Sequence, residues 1–141
     1  MKKTIAILLS CIMLLACIPL TASAADVTWS GVQVKSAPET INAGTTVIIT
    51  GTYTVTSTLT VMEGASIIVQ DGGSLMFTGD TGRLINSGTV TAKRNGTITF
   101  NGIGTGNQGA TFVNNEKGVL ILDNGSLVSL SKNSQGFNYG W

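Results

Sequence analysis

The chain has 141 residues, with 8 basic and 7 acidic side chains, a formal net charge of +1, 18 glycines, two cysteines and no histidine. The near balance of charge, with Lys93-Arg94 as the one adjacent basic pair after Lys2-Lys3, argues against nucleic acid or an acidic membrane surface as a partner. The missing histidine removes histidine-based triads and histidine-ligated zinc from the available chemistry.

The amino terminus carries Lys2 and Lys3, an apolar run from Ile5 to Leu20 interrupted by Ser10, and then Thr21-Ala22-Ser23-Ala24-Ala25. A positive start, a short apolar stretch and small residues at Ala22 and Ala24 predict a secretory signal peptide over residues 1–24, cleaved after Ala24. The run is shorter than the ~20 residues that span a bilayer, so no membrane span is expected after cleavage. The expected location is extracellular or on the cell surface. Leu14-Leu15-Ala16-Cys17 also fits a lipobox, which would make Cys17 a lipidated first residue instead. Cleavage after Ala24 removes Cys11 and Cys17 together with Lys2 and Lys3, taking the formal charge to −1. Disulfides and thiol chemistry leave with the signal, and stability must come from burial and backbone pairing.

Residues 25–43, with Val27, Trp29, Val32, Val34 and Ile41 around Pro38, lack the pattern that follows and are expected to form an amino-terminal cap. From 44 to 130 one unit recurs: a glycine or serine, a small or β-branched residue, then alternating apolar residues. Gly51-Thr-Tyr-Thr-Val, Gly73-Ser-Leu-Met-Phe and Gly96-Thr-Ile-Thr-Phe are examples. Each predicts a strand of four or five residues behind a turn. Gly51, Gly73, Gly96 and Gly118 recur at intervals of 22, 23 and 22, and two further glycine-rich rows keep a similar period. Repeats of this length predict a solenoid, an all-β parallel β-helix of about four coils with three short strands each. A second register pairs Leu84-Ile85-Asn86 with Phe112-Val113-Asn114, and Gly96 with Gly125, giving a coil of about 28 residues. Residues 131–141 end in the alternating aromatics Phe137, Tyr139 and Trp141, read as a carboxy-terminal tail or the start of a further coil.

Over Gly44 to about Leu130 this pattern resembles the right-handed parallel β-helix superfamily, the architecture of pectate-lyase-like enzymes, phage tailspikes and many bacterial adhesins. The resemblance implies the fold. It also admits a polysaccharide lyase, whose site would join calcium-binding acids to a basic proton abstractor. The charges Asp71, Asp80, Arg83, Lys93 and Arg94 fall in turns of different coils, too dispersed for the six to eight oxygens that calcium takes. No metal or other cofactor is expected.

In the 22-residue register Asp71, Arg94 and Glu116 each precede a row glycine by two positions, which stacks them on one turn line. Coils lie about 4.8 Å apart, so Asp71 and Glu116 would stand about 10 Å apart with Arg94 between them. Two carboxyls near that spacing are the machinery of glycosidases, whereas an arginine between them makes an ionic ladder that aligns coils. The threonine pairs, such as Thr54-Val55-Thr56 and Thr97-Ile98-Thr99, invite comparison with ice-binding ladders, but Met76 and Val119 break the row. Asn86, Asn95, Asn101, Asn114, Asn115 and Asn124 fall at expected turns, where they suit left-handed geometry or internal amide ladders. The polar stretch from Asn101 to Gln108 reads as a loop, and Asn101, Asn107 and Gln108 are its candidate binding residues. The function expected from these features is a secreted or cell-surface adhesion or scaffold module, complete or part of a larger adhesin, meeting glycans or cell-surface and matrix proteins. The enzymatic alternative is a carbohydrate-active β-helix using Asp71 and Glu116.

Overall fold

The computed structural model describes residues 24–103, 109–131 and 133–141. Residues 1–23 of the expected signal peptide, with Cys11 and Cys17, and the loop residues Asn107 and Gln108 lie outside the described residues. The strands are short because a turn-forming pair or quartet follows every four or five alternating residues, and a chain so punctuated buries its apolar face only by winding. It does so in five coils. Coil 1 holds β1 (Ala25–Trp29), β2 (Val32–Lys35) and β3 (Glu39–Ile41), and coil 2 holds β4 (Thr45–Ile49), β5 (Thr52–Val55) and β6 (Thr58–Val61). Coil 3 holds β7 (Ser66–Val69), β8 (Ser74–Thr78) and β9 (Arg83–Asn86). Coil 4 holds β10 (Thr89–Ala92), β11 (Thr97–Asn101) and β12 (Thr111–Asn114), and coil 5 holds β13 (Val119–Leu122), β14 (Leu127–Leu130) and β15 (Gln135–Asn138).

Each strand pairs in parallel with its counterparts one coil away, giving three five-stranded parallel sheets: A from β1 to β13, B from β2 to β14 and C from β3 to β15. The fold is thus the expected parallel β-solenoid, with five coils in place of four. The fifth arises at the amino end, where residues 25–41 wind as a full coil with every strand bonded to coil 2. Its apolar spacing escapes the glycine rows because Gly31 is the one glycine in that stretch.

The 22-residue period holds through Gly51, Gly73 and Gly96, as Ser74 N donates to Gly51 O and Thr97 N to Gly73 O. It fails at the next coil. Leu127 N donates to Gly96 O, while Gly118 joins the row of Gly88, whose carbonyl accepts from Val119 N. The cause is a nine-residue connection, 102–110, between β11 and β12, where the equivalent connection in coil 2 has two residues. The longer register is right for Leu84-Ile85-Asn86 on Phe112-Val113-Asn114. It is one residue out for Gly96, which lies beneath Ser126.

Inward positions alternate along every strand and stack in rows down the solenoid. Ile49, Ile67, Leu75, Leu84 and Ile98 are at most 1 % exposed. Each such burial is worth about 1.5–3 kcal/mol relative to exposure. Aromatic contacts add directionality: Phe77 stacks on Phe100 within one row of sheet B at 4.9 Å between ring centroids, and Trp29 of sheet A stacks on Tyr53 of sheet B at 4.0 Å. Close stacking also dictates glycine at the turn into sheet B, since a Cβ on Gly73 would sit 2.6 Å from the carbonyl oxygen of Ile49 in the coil below.

The two ends differ. In coil 1 the inward positions of β2 and β3 carry Gln33, Lys35 and Glu39, aligned with Tyr53, Val55 and Leu59 of coil 2. Lys35 Nζ lies 3.3 Å from Glu39 Oε2, and Tyr53 donates its hydroxyl to the same carboxylate at 3.1 Å. A charged pair therefore closes the amino end of the core, the inward-pointing charge that protects open sheet edges.

Tyr53 is 1 % exposed. Burial first, and the facing Glu39 carboxylate second, hold its phenol well above its ordinary pKa. A raised folded-state value means that Tyr53 contributes fully below the unfolded pKa of about 10, and that this contribution drains as pH rises beyond it. Thermal unfolding between about pH 10 and 12 is expected to show a steeper loss of stability for the natural chain than for Tyr53→Phe. Parallel declines would contradict it.

Candidate functional site

The third strand of each of the last three coils ends in asparagine: Asn86 on β9, Asn114 on β12 and Asn138 on β15. Asn86 and Asn114 are fully buried, a costly location for an amide unless its hydrogen bonds are made. They are made along the stack. Asn86 Nδ2 donates to Asn114 Oδ1 at 2.7 Å, and Asn114 Nδ2 donates to Asn138 Oδ1 at 2.9 Å. The same nitrogens reach the backbone of the next turn, Asn86 to Val119 O at 3.1 Å and Asn114 to Gly118 O at 2.9 Å, while Asn86 Oδ1 accepts from Gly88 N. Gly118 is required here because a Cβ would strike the Asn114 carboxamide and the Asn86 carbonyl. In coil 2 the equivalent residue is Val61, so the ladder starts at coil 3.

This ladder fixes the corner between sheets C and A, and the corner is notched. The link from β6 to β7 spans the four residues 62–65, and that from β12 to β13 spans 115–118. Between them, β9 joins β10 through Ser87 and Gly88 alone. The short link forms the floor of a groove of about 470 Å³ lined by Glu63, Ser87, Asn115, Glu116, Lys117 and Tyr139. Asn115 Nδ2 donates to Ser87 Oγ at 2.8 Å. Lys117 Nζ reaches both carboxylate oxygens of Glu63 at 2.9 Å, strapping coil 4 to the coil 2 turn. Its hydrogen bond to Glu63, reinforced by the opposite charge, raises the pKa of the ammonium. Tyr139 N donates to Asn114 O at 2.8 Å, which sets this 65 %-exposed aromatic on the rim.

The stack of Asp71, Arg94 and Glu116 is not assembled. Arg94 does lie over Asp71, with Nη2 3.9 Å from Oδ2, and Asn95 Nδ2 donates to Asp71 Oδ1 at 2.9 Å. The pairing of β10 with β13 places Asn124 above Arg94 and Asp123 above Lys93, and Lys93 Nζ lies 3.4 Å from Asp123 Oδ2. Glu116 sits at the C-to-A corner, whereas Asp71 sits at the A-to-B corner, because the long 102–110 connection shifted the count. The two carboxylates do not share a site. Asp80 and Arg83 line a smaller hollow of about 270 Å³ at the B-to-C corner, with Thr58, Thr81, Gly82 and Thr111. Asn101 closes β11, and its Oδ1 accepts from Ser131 Oγ at 2.9 Å, which ties coil 4 to coil 5.

Glu63, Ser87, Lys117 and Tyr139 carried no signal as a group, since they come from four turns 76 residues apart at the extremes. The available clue was the shared ending of Leu84-Ile85-Asn86 and Phe112-Val113-Asn114, which aligns the two turns that follow. No family model matches the chain, and comparison with curated proteins and with solved structures finds no match.

Removing the middle rung breaks the bonds of the Asn114 carboxamide to Asn86, Asn138 and the Gly118 carbonyl at a buried position. Asn114→Ala is therefore expected to lower unfolding stability by about 1–3 kcal/mol. The exposed Asn124→Ala should change it by less than about 0.5 kcal/mol. Equal effects in urea titration would contradict the ladder's role.

Proposed function

We propose that the chain is an exported, non-enzymatic binding scaffold that holds an extended glycan along the groove at the corner between sheets C and A. The single observation that carries this reading is the groove itself, which runs across three successive corner turns with an aromatic on its rim. Its volume falls within the range of ligand pockets. Its side chains combine hydroxyl, amide and carboxylate groups with the exposed face of Tyr139, the mixture that a polyhydroxylated chain satisfies by hydrogen bonding and ring stacking. The buried asparagines below it pre-organise the turns, which lowers the ordering cost on binding.

Export rests on the signal-like residues 1–24, with the secreted or cell-surface location that follows from them. Kinship with the right-handed parallel β-helix superfamily is part of the same proposal and rests on the repeat pattern and the solenoid. Glycans are the partners favoured over matrix proteins, because the groove sets hydroxyl, amide and charged side chains beside one exposed aromatic. Catalysis by Asp71 with Glu116 finds no support in the placement of these residues on separate corners.

Titration of the purified chain against a panel of bacterial and matrix polysaccharides is expected to find a binder. Tyr139→Ala should weaken it about tenfold or more, the effect of removing a well-packed aromatic anchor, and Asp71→Asn should leave it unchanged. No binding across the panel would overturn the proposal. So would polysaccharide depolymerisation that Glu116→Gln abolishes.

A further inference from the structure

The outer face of sheet B belongs neither to the core nor to the groove. On β5, β8 and β11 the buried residues are Tyr53 and Val55, Leu75 and Phe77, and Ile98 and Phe100. Alternation turns the residues between them outward, and residue-over-residue pairing stacks these in two files. One file is Thr52, Ser74 and Thr97, and the other is Thr54, Met76 and Thr99. Val32 and Val34 of β2 precede the files, and Leu127 and Ser129 of β14 follow them. Val119, expected from the 22-residue repeat to interrupt the threonines, pairs in sheet A instead. Within the two files on these three strands, Met76 alone lacks a hydroxyl.

Three properties define what such a face can hold. From β2 to β14 its outward strand positions carry neither a charge nor an aromatic ring, whereas sheets A and C carry Asp26 and Arg83 on theirs. The hydroxyls of Thr52, Thr54, Ser74, Thr78, Thr97 and Thr99 make no hydrogen bond to the protein among the described residues, so each keeps its donor and its acceptor lone pairs for the ligand. Their positions are also periodic, about 4.8 Å apart from strand to strand and about 6.6 Å apart along a strand. The branched threonine side chain is stiff at χ1, and the buried rows beneath hold the backbone, so the array is ordered before any ligand arrives.

We propose that the outer face of sheet B adsorbs to the surface of ice. Groups that both donate and accept, fixed at the nodes of a two-dimensional lattice, are the complement of a crystal whose own members both donate and accept. Threonine methyls between the hydroxyls add apolar contact. A charged partner would meet no counter-charge here, and a glycan would find no ring to stack on. Pre-ordering removes the cost of immobilising side chains on contact. The face is also distinct from the groove, which lies at the corner between the other two sheets.

Growth of an ice front through a solution of the purified chain, with microscopy of single crystals held just below melting, tests this. The natural chain is expected to enter the ice and to arrest growth of crystal faces. Met76→Thr completes the array and should lower the concentration for half-maximal arrest about two- to tenfold, the worth of one added hydrogen bond. Thr54→Lys/Thr99→Lys should raise it about tenfold or more, since each ammonium would lose its water against the lattice. Its β-type circular dichroism spectrum should not change. Thr60→Lys, outward on sheet C, and Tyr139→Ala in the groove should leave arrest unchanged. If the double lysine variant unfolds, the gain from Met76→Thr decides the matter. Exclusion of the natural chain from ice, no gain from Met76→Thr, or an equal loss from Thr60→Lys would overturn the proposal. So would adsorption to crystalline cellulose that the sheet B lysines abolish. Glycan binding in the groove is read separately, and either can fail alone.

Discussion

Every strand among the described residues is paired in parallel with the strand one coil away, and that one requirement governs the rest of the molecule. Parallel pairing places each residue directly over its counterpart, so a row of side chains down the solenoid is read as a unit. A residue that fits its own strand but not its row costs packing or hydrogen bonds in two coils at once. Apolar rows satisfy the condition through dispersion and exclusion of water, as in the Val47, Ile67, Val90 and Leu120 row of sheet A. A polar row satisfies it only when each member bonds to the next, which Asn86, Asn114 and Asn138 do.

The same constraint explains where variation is tolerated. Strands cannot gain or lose a residue without turning their apolar face outward, so changes in coil length gather in the connections. The B-to-C corner absorbs the largest of them, with connections running from two residues to the nine of 102–110. A shorter link has the opposite effect. Ser87-Gly88, between two four-residue turns, recesses the C-to-A corner, and the groove is the geometric result. Site and scaffold share one origin, since the buried amides that stabilise the corner also position the turns above it.

Much of this was legible in the chain before any coordinates. Alternation within Thr52–Val55, Ser74–Thr78 and Thr97–Asn101, together with the glycines that precede them, specified three strands of sheet B in their true register. The signal failed where spacing stopped being periodic. No local property of residues 102–110 states how many residues the corner will absorb, so Gly118 was assigned to the wrong row and Glu116 to the wrong corner. Coil 1 escaped for a different reason. Its inward positions are partly polar because it is an end, and Gln33, Lys35 and Glu39 reverse the alternation that marks an interior strand. The groove was illegible for a third reason, as its residues converge only when coils 2 to 5 are stacked. Asn101 reads in the sequence as a candidate binding residue of a loop, and what the stacked coils add is the bond its side chain accepts from Ser131.

The register of coil 5 on coil 4 is the most direct test of this account, because the groove, the asparagine ladder and the chemistry of the carboxyl end all depend on it. Nuclear Overhauser contacts between backbone protons across that boundary are the measurement. The account predicts contacts of Thr97 with Leu127 and of Thr89 with Val119. Contacts of Thr97 with Val119, as an unbroken 22-residue repeat requires, would contradict it.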